Sequence, residues 1–190
     1  MSRARASQAS TGGDSVTGVL LVGGAATRFG SPKALARLPS GPTLAEHAWA
    51  ALAWCGERIA VGKEADALPL PFPVADDGFD VRAPLAGLVA GLRLAAHDVC
   101  VVLPVDMPLV QTEDLKALAA ACADAAVPQT GPLPGAYRRS ALPVLERRLA
   151  AGELMLRGAV AETRVVELDP RRLVNVNTPA DLARLDHARL

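Results

Sequence analysis

The segment Gly23-Gly24-Ala25-Ala26-Thr27-Arg28-Phe29-Gly30-Ser31-Pro32-Lys33 sets three glycines among small side chains and adds an arginine and a lysine. Paired glycines let backbone N–H groups turn inward and approach a ligand closely, while Arg28 and Lys33 supply positive charge, so the segment can cradle a triphosphate. It is neither a P-loop nor G-x-G-x-x-G, because Lys33 follows no glycine directly and no Ser or Thr succeeds it. The plainer alternative is a surface turn carrying two solvated cations. Asp106, in VLPVDMPLV, lies just past the most apolar run of the chain. A carboxylate there suits Mg²⁺, which takes one or two carboxylates together with phosphate oxygens; a turn or capping role is the alternative. Asp76 and Asp77 end another apolar stretch and could accept hydrogen bonds from a guanine edge or a ribose hydroxyl, or be solvated before Gly78. In Asn175-Val176-Asn177 two amides flank one apolar residue, so an extended backbone sends both amides to one side. Such a pair suits a polar heterocycle or a second metal ligand, with a cap or turn role open for Asn177.

These residues need elements to place them. GVLLV (Gly18 to Val22) is a continuous apolar run of the kind expected for a strand covered on both faces. Thr43 and Glu46 form a capping box ahead of a helix bearing Leu44, His47, Ala48, Ala51 and Leu52. Short strands are expected at Arg58 to Val61 and Pro73 to Asp76, then a helix from Pro84 to Ala96 in which Gly87 and Gly91 share a face. That spacing fits close helix-to-sheet packing, with ligand contact equally open for Gly87. VCVVLPV (Val99 to Val105) is the strongest strand, and Thr112, Glu113 and Asp114 are expected to start a helix running to about Ala123. AAVPQ and PGAYR are short strands, Ser140 to Ala151 a helix stopped by Gly152, and Thr163 to Leu168 a further strand. Thr178, Pro179 and Asp181 stand in helix-start order before LARL. The alternation predicts a three-layer α/β/α, Rossmann-like fold with a mostly parallel sheet and ligands at the carboxyl ends of its strands. Residues 1–16 read as a disordered tail and 17–190 as one domain.

Composition removes competing functions. Twenty basic side chains balance twenty acidic ones, so no global field favours a polyanion or an acidic membrane. Only six aromatic residues occur, too few for a single-strand stacking platform. Neither nucleic acid nor a membrane is expected as a partner. No apolar run approaches the roughly 20 residues of a bilayer span, and the first fifteen residues contain no signal-like segment, so the cytoplasm is the expected compartment. Cys55, Cys100 and Cys122 form no C-x-x-C pair, and His47, His97 and His187 no H-E-x-x-H spacing. The cysteines are expected to be buried thiols, and packing or surface roles are expected for Cys100, Cys122, His47 and His97.

The ordered set formed by Leu21 to Lys33 (L-x-GG-x-x-x-R-x-G-x-x-K), PLAGL (Pro84 to Leu88), DMPLV around Asp106 and NVNTPADL (Asn175 to Leu182) resembles the nucleotidyltransferases of the nucleoside-triphosphate-transferase fold, most closely the molybdenum cofactor guanylyltransferases. The likeness spans about Thr17 to Leu185. Related cytidylyltransferases carry a different stretch at PLAGL and an acidic D-x-D-T-P where this chain has Asn175 to Pro179. The resemblance implies that Leu21, Gly23 and Gly24 meet the guanine base through main chain, that Lys33 and Arg28 reach the phosphates, that Asp76 binds nucleotide and that Asp106 binds Mg²⁺. It also implies that Asn175 and Asn177, with Tyr137 and Arg138 nearby, face the molybdopterin acceptor. Ala26, Phe29, Val81 and Ala83 depart from the residues usual in the family.

The implied activity is transfer of GMP from Mg-GTP to the terminal phosphate of molybdopterin or its molybdenum form, with release of pyrophosphate. Cofactor-delivery or acceptor proteins are further candidate partners. Two alternatives stay open at this stage. One is a cytidylyl- or uridylyltransferase of the same fold acting on another phosphorylated acceptor. The other is a nucleotide-binding module without turnover, suggested by Ala26 and Ala83.

Overall fold

The computed structural model describes residues 12–23 and 32–185. Gly24 and Arg28, both expected at the nucleotide, fall outside the described residues, as do Ala26, Phe29 and His187. Strand β1 (Val16–Leu21) is buried along its whole length, which explains its unbroken apolar character: both faces are covered. Val16 and Leu20, with Val22 beyond them, pack with Leu44, Ala45 and Ala48 of helix α1 (Leu44–Ala51) and with Leu115 and Leu118 of a later helix. Val19 and Leu21 face the opposite way, toward Leu85, Leu88, Val89 and Leu92 of helix α2 (Pro84–Leu94). The period of two along β1 thus feeds two separate cores, one on each side of the sheet.

The remaining strands are β2 (Glu57–Gly62), β3 (Val74–Asp76), β4 (Val99–Pro104), β5 (Ala125–Pro128), β6 (Gly135–Arg138) and β7 (Thr163–Val166), joined in the order β3-β2-β1-β4-β6-β5-β7. β1 pairs in parallel with both β2 and β4, β2 with β3, and β5 with β7. β6 runs antiparallel to both of its neighbours. The other helices are α3 (Thr112–Ala121), α4 (Leu142–Ala150) and α5 (Pro179–Leu185). β1 is flanked by the strand that follows it and by β4, so the chain reverses direction across the sheet there. That is the topological switch where open α/β sheets form a ligand crevice.

The capping box before α1 is formed: the Glu46 amide donates to Thr43 Oγ1 at 3.1 Å and the Thr43 amide to Glu46 Oε2 at 2.7 Å. Gly91 supports the packing explanation, since a Cβ there would lie 2.5 Å from Val19 Cγ1. Two expectations shift. The residue capping α3 is Gln111, whose amide donates to Asp114 Oδ2 at 3.0 Å, while the Thr112 hydroxyl donates instead to the Ala51 carbonyl at 3.0 Å and ties α3 to the end of α1. The folded unit also begins before Thr17. Val16 is buried in β1, and the Gly56 amide donates to the Gly13 carbonyl at 2.8 Å.

Candidate active site

Three chain segments meet beyond the carboxyl ends of β1 and β4. The first is the turn beginning at Lys33, anchored by buried Ala34 and Leu38. The second is the loop after β4. Val105 extends the pairing through its amide to the Leu21 carbonyl at 3.0 Å, and buried Met107 and Val110 lock the loop from below. His47 Nε2 lies 2.9 Å from the Pro108 carbonyl oxygen and steadies the same loop. The third is Asn175 to Thr178. Val176 is fully buried, so its neighbours Asn175 and Asn177 are exposed, as the alternation requires. The Val176 amide donates to the Asp106 main-chain carbonyl at 2.8 Å and joins the second and third segments.

At their meeting point Lys33 Nζ donates to Asp106 Oδ2 at 3.2 Å and to Asn177 Oδ1 at 2.9 Å. Residues separated by 73 and 144 positions in the chain therefore form one cluster. An ammonium has three N–H donors, so among the described residues one remains after these two bonds. Asp106 Oδ1 is buried with no hydrogen-bond partner among the described residues. A carboxylate oxygen left so is costly unless something else fills its need, and a cation does so directly. No group of three or more His, Cys, Asp or Glu able to hold a metal occurs among the described residues. The donor set therefore fits a cation that draws its other ligands from substrate and water, as Mg²⁺ does.

Asn177 is not the cap of α5. Thr178 Oγ1 accepts from the Asp181 amide at 3.1 Å, while Asp181 Oδ2 accepts from the amides of Asn177 and Thr178 at 3.0 and 2.9 Å. The donated bonds, first of all the one from the Asn177 amide, hold the Asp181 carboxyl below the usual carboxylate range. This turn frees the Asn177 side chain for Lys33.

From this cluster a cleft of about 270 Å³ runs toward β2 and the start of α2, past Leu21, Gly23, Gly62 and Gly87 to Lys63 and Asp77. A Cβ on Gly23 would meet only Gly62 Cα, at an ordinary 3.7 Å, so packing does not demand a glycine there. Gly87 serves both readings: it lines the cleft, and a Cβ on it would lie 2.9 Å from Leu21 Cδ2.

Other expected residues lie elsewhere. Asp76 is exposed at the end of β3, where its Oδ1 accepts from the Glu64 amide at 3.4 Å; the adjacent Asp77 is the carboxylate that lines the cleft. Tyr137 and Arg138 lie away from the Lys33 cluster and do not line its cleft. Tyr137 is buried and donates its hydroxyl to the Pro132 carbonyl at 2.6 Å, and burial pushes its ionisation above the ordinary tyrosine range. Arg138 pairs in register with Val99, the first residue of β4, and its guanidinium bonds Asp98 and the Ala123 carbonyl. The antiparallel course of β6 carries Arg138 to the amino ends of the parallel strands, roughly 17 Å from the end that bears Asp106. Asn175 is exposed and outside the Lys33 cluster. Cys100 and Cys122 are buried thiols and Cys55 is half-buried; desolvation pushes Cys55 and Cys100 up to about 12 and Cys122 up to about 11. His97 Nδ1 lies 3.1 Å from Thr17 Oγ1 at the opposite, amino end of β1. Lys63 escaped the sequence reading, although it directly follows the end of β2, and position in a loop after a strand is the cue that singled out Lys33 and Asp106.

A family model described as the MobA-like NTP transferase domain matches residues 18–168. The chain belongs to the MobA-like NTP transferase family. It is 35% identical over 190 residues to a Chloroflexus aggregans protein named "Probable molybdenum cofactor guanylyltransferase", covering 88% of this chain and 91% of that one. It is also 35% identical over 196 residues to the molybdenum cofactor guanylyltransferase of Burkholderia vietnamiensis, covering 90% and 95%. Among solved structures, molybdopterin-guanine dinucleotide biosynthesis protein A of Archaeoglobus fulgidus superposes with a TM-score of 0.74 at 27% identity, over 90% of this chain and 97% of that one. The fold is accordingly that of the nucleotidyltransferases, as the motif order implied.

Proposed function

We propose that this protein is a molybdenum cofactor guanylyltransferase, transferring GMP from GTP to the terminal phosphate of molybdopterin or its molybdenum form and releasing pyrophosphate. The convergence of Lys33, Asp106 and Asn177 at one end of a nucleotide-sized cleft supports this reading most directly. The acceptor phosphate is already an oxyanion at neutral pH, so its attack on the α-phosphorus needs no general base. Among the described residues no histidine lines the cleft, in keeping with that requirement. Catalysis then reduces to alignment and charge neutralisation. Asp106 is the residue to hold Mg²⁺, through the oxygen that has no partner among the described residues. When bound, the ion would supply Lewis-acid stabilisation of the phosphate charge.

Lys33 directs its remaining N–H to a phosphate oxygen while Asp106 and Asn177 hold the ammonium in place, and Arg28 adds a second positive charge. Leu21, Gly23 and Gly24 offer main-chain groups to the base, and Asn177 with Asn175 marks the side from which the acceptor enters. The substrates, GTP and molybdopterin, are cytoplasmic metabolites in this reading, with cofactor-delivery or acceptor proteins as transient partners. No helix among the described residues is long and apolar enough to cross a membrane. The test is to offer GTP, CTP and UTP separately with Mg²⁺ and molybdopterin and to follow pyrophosphate. Release with GTP alone is expected; release with CTP alone overturns the assignment.

A further inference from the structure

The end of the cleft away from Asp106 holds a second ion pair that the transfer chemistry does not use. Lys63 Nζ donates to Asp77 Oδ1 at 2.6 Å and also to the Phe79 carbonyl. The two side chains are only 12% and 8% exposed, and both line the same cleft as Lys33 and Asp106. The pair is built by the sheet: Gly62 of β2 registers with Asp76 of β3, and the Asp77 amide donates to the Gly62 carbonyl at 2.9 Å. Lys63 and Asp77, each one residue past a strand end, are thereby set side by side. Placing a desolvated lysine–aspartate pair in a binding cleft contributes little net stability, so a structural role alone accounts for it poorly.

Hydrogen-bond capacity suggests its use. Two of the three Lys63 N–H donors are engaged among the described residues, leaving one. Among the described residues both hydrogen bonds to the Asp77 carboxylate, from Lys63 and from the Phe79 amide at 2.9 Å, go to Oδ1, leaving Oδ2. The cleft wall thus presents a donor beside an acceptor. Guanine presents the complement, the O6 acceptor beside the N1–H donor. Adenine and cytosine present the reverse, an amino donor beside a ring-nitrogen acceptor. With the phosphates drawn to Lys33 and Asp106, the base is the part of the nucleotide left to reach this end, between the apolar walls made by Leu21, Val61 and Pro84.

We propose that Lys63 is a specificity-determining residue that donates to O6 of the guanine base, with Asp77 positioning its ammonium. The proposal rests on the guanylyltransferase reading and names the group that selects guanine over adenine and cytosine. A hydrogen bond from a charged donor corresponds to roughly tenfold to hundredfold in affinity. The test measures binding of GTP and 6-thioguanosine triphosphate in Mg²⁺ by calorimetry, for the wild type, K63M and K63Q. The thio analogue keeps N1–H and the 2-amino group but replaces O6 with a poor acceptor. The wild type is expected to prefer GTP by about tenfold or more. K63M is expected to lose that preference by weakening GTP alone, and K63Q, which keeps a neutral donor and a partner for Asp77, to restore part of it. Thermal unfolding of each variant separates misfolding from loss of recognition, and K63Q carries the test should K63M not fold. A K63M protein that folds and still discriminates by the wild-type factor overturns the role of Lys63 while leaving the guanylyltransferase reading intact. A wild type that binds CTP in preference to GTP overturns both.

Discussion

Replacing Lys33 with methionine removes the cation of the phosphate end while keeping most of the side-chain volume. Two costs can be separated in advance. For stability, the Lys33–Asp106 pair is lost, but its side chains are 19% and 20% exposed, so solvent screens much of the attraction. The expected loss is no more than about 1 kcal/mol, or roughly 2–4 °C in Tm for a domain of this size. For catalysis, a positioned donor to the transition-state phosphate is lost, which costs about 10²–10³ in kcat. The rate effect exceeds the stability effect, so a folded protein that turns over slowly is expected. The assay is pyrophosphate release with saturating GTP, Mg²⁺ and molybdopterin, alongside the melting temperature. A double-mutant cycle with Asp106→Asn sharpens it. If both residues act on the charge of one phosphate group, the double variant loses about as much as the worse single variant rather than the product of the two. Turnover of K33M within twofold of wild type, or losses that multiply fully, would refute a shared site.

Further outcomes follow from the packing and the titrating groups. Gly91→Ala drives a Cβ to 2.5 Å from Val19 in a filled core, so overpacking of about 1–3 kcal/mol outweighs the helix-propensity gain of about 1 kcal/mol and Tm falls by a few degrees. Cys100 and Cys122, pushed up by burial to about 12 and 11, are expected to resist a thiol reagent at pH 8 in the native protein and to react in denaturant. Because their folded values lie above the unfolded one, their stability contribution is full below about pH 8.5 and declines as pH rises past it, which urea unfolding at pH 7 and pH 10 would register. Asp181 has the opposite sign: its lowered value contributes stability above about pH 4 that is lost as pH falls through the folded value. Asp181→Asn should therefore flatten the acid limb of the stability profile and, by loosening the Asn177 turn, raise KM for the acceptor; an unchanged KM counts against Asn177 as an acceptor contact.

Much of the site was legible because its residues obey a local rule. Lys33 and Asp106 follow buried parallel strands, and Val176, fully buried between two amides, announces an extended segment with Asn177 on the open side. Those patterns depend on burial and periodicity, which neighbouring residues encode. Strand direction is not encoded that way. PGAYR has the composition of a strand whichever way it runs, and only its pairing with β4, Val102 to Gly135 through Val99 to Arg138, shows that Arg138 ends at the far edge. One-residue register is equally silent: Asp76 and Asp77 are chemically identical, and successive strand residues face opposite ways.

The sequence by itself determined a mostly parallel sheet covered on both faces, the capped start of α1, and a lysine and an aspartate in loops that follow strands, because hydrophobic periodicity and capping chemistry act over a few residues. The tertiary structure alone decided which partners the charged groups find. Lys33 meets Asn177 across 144 positions, and Lys63 meets Asp77 only because β2 and β3 end in register. Those encounters depend on strand order and direction, which arise when the whole sheet closes its two cores at once.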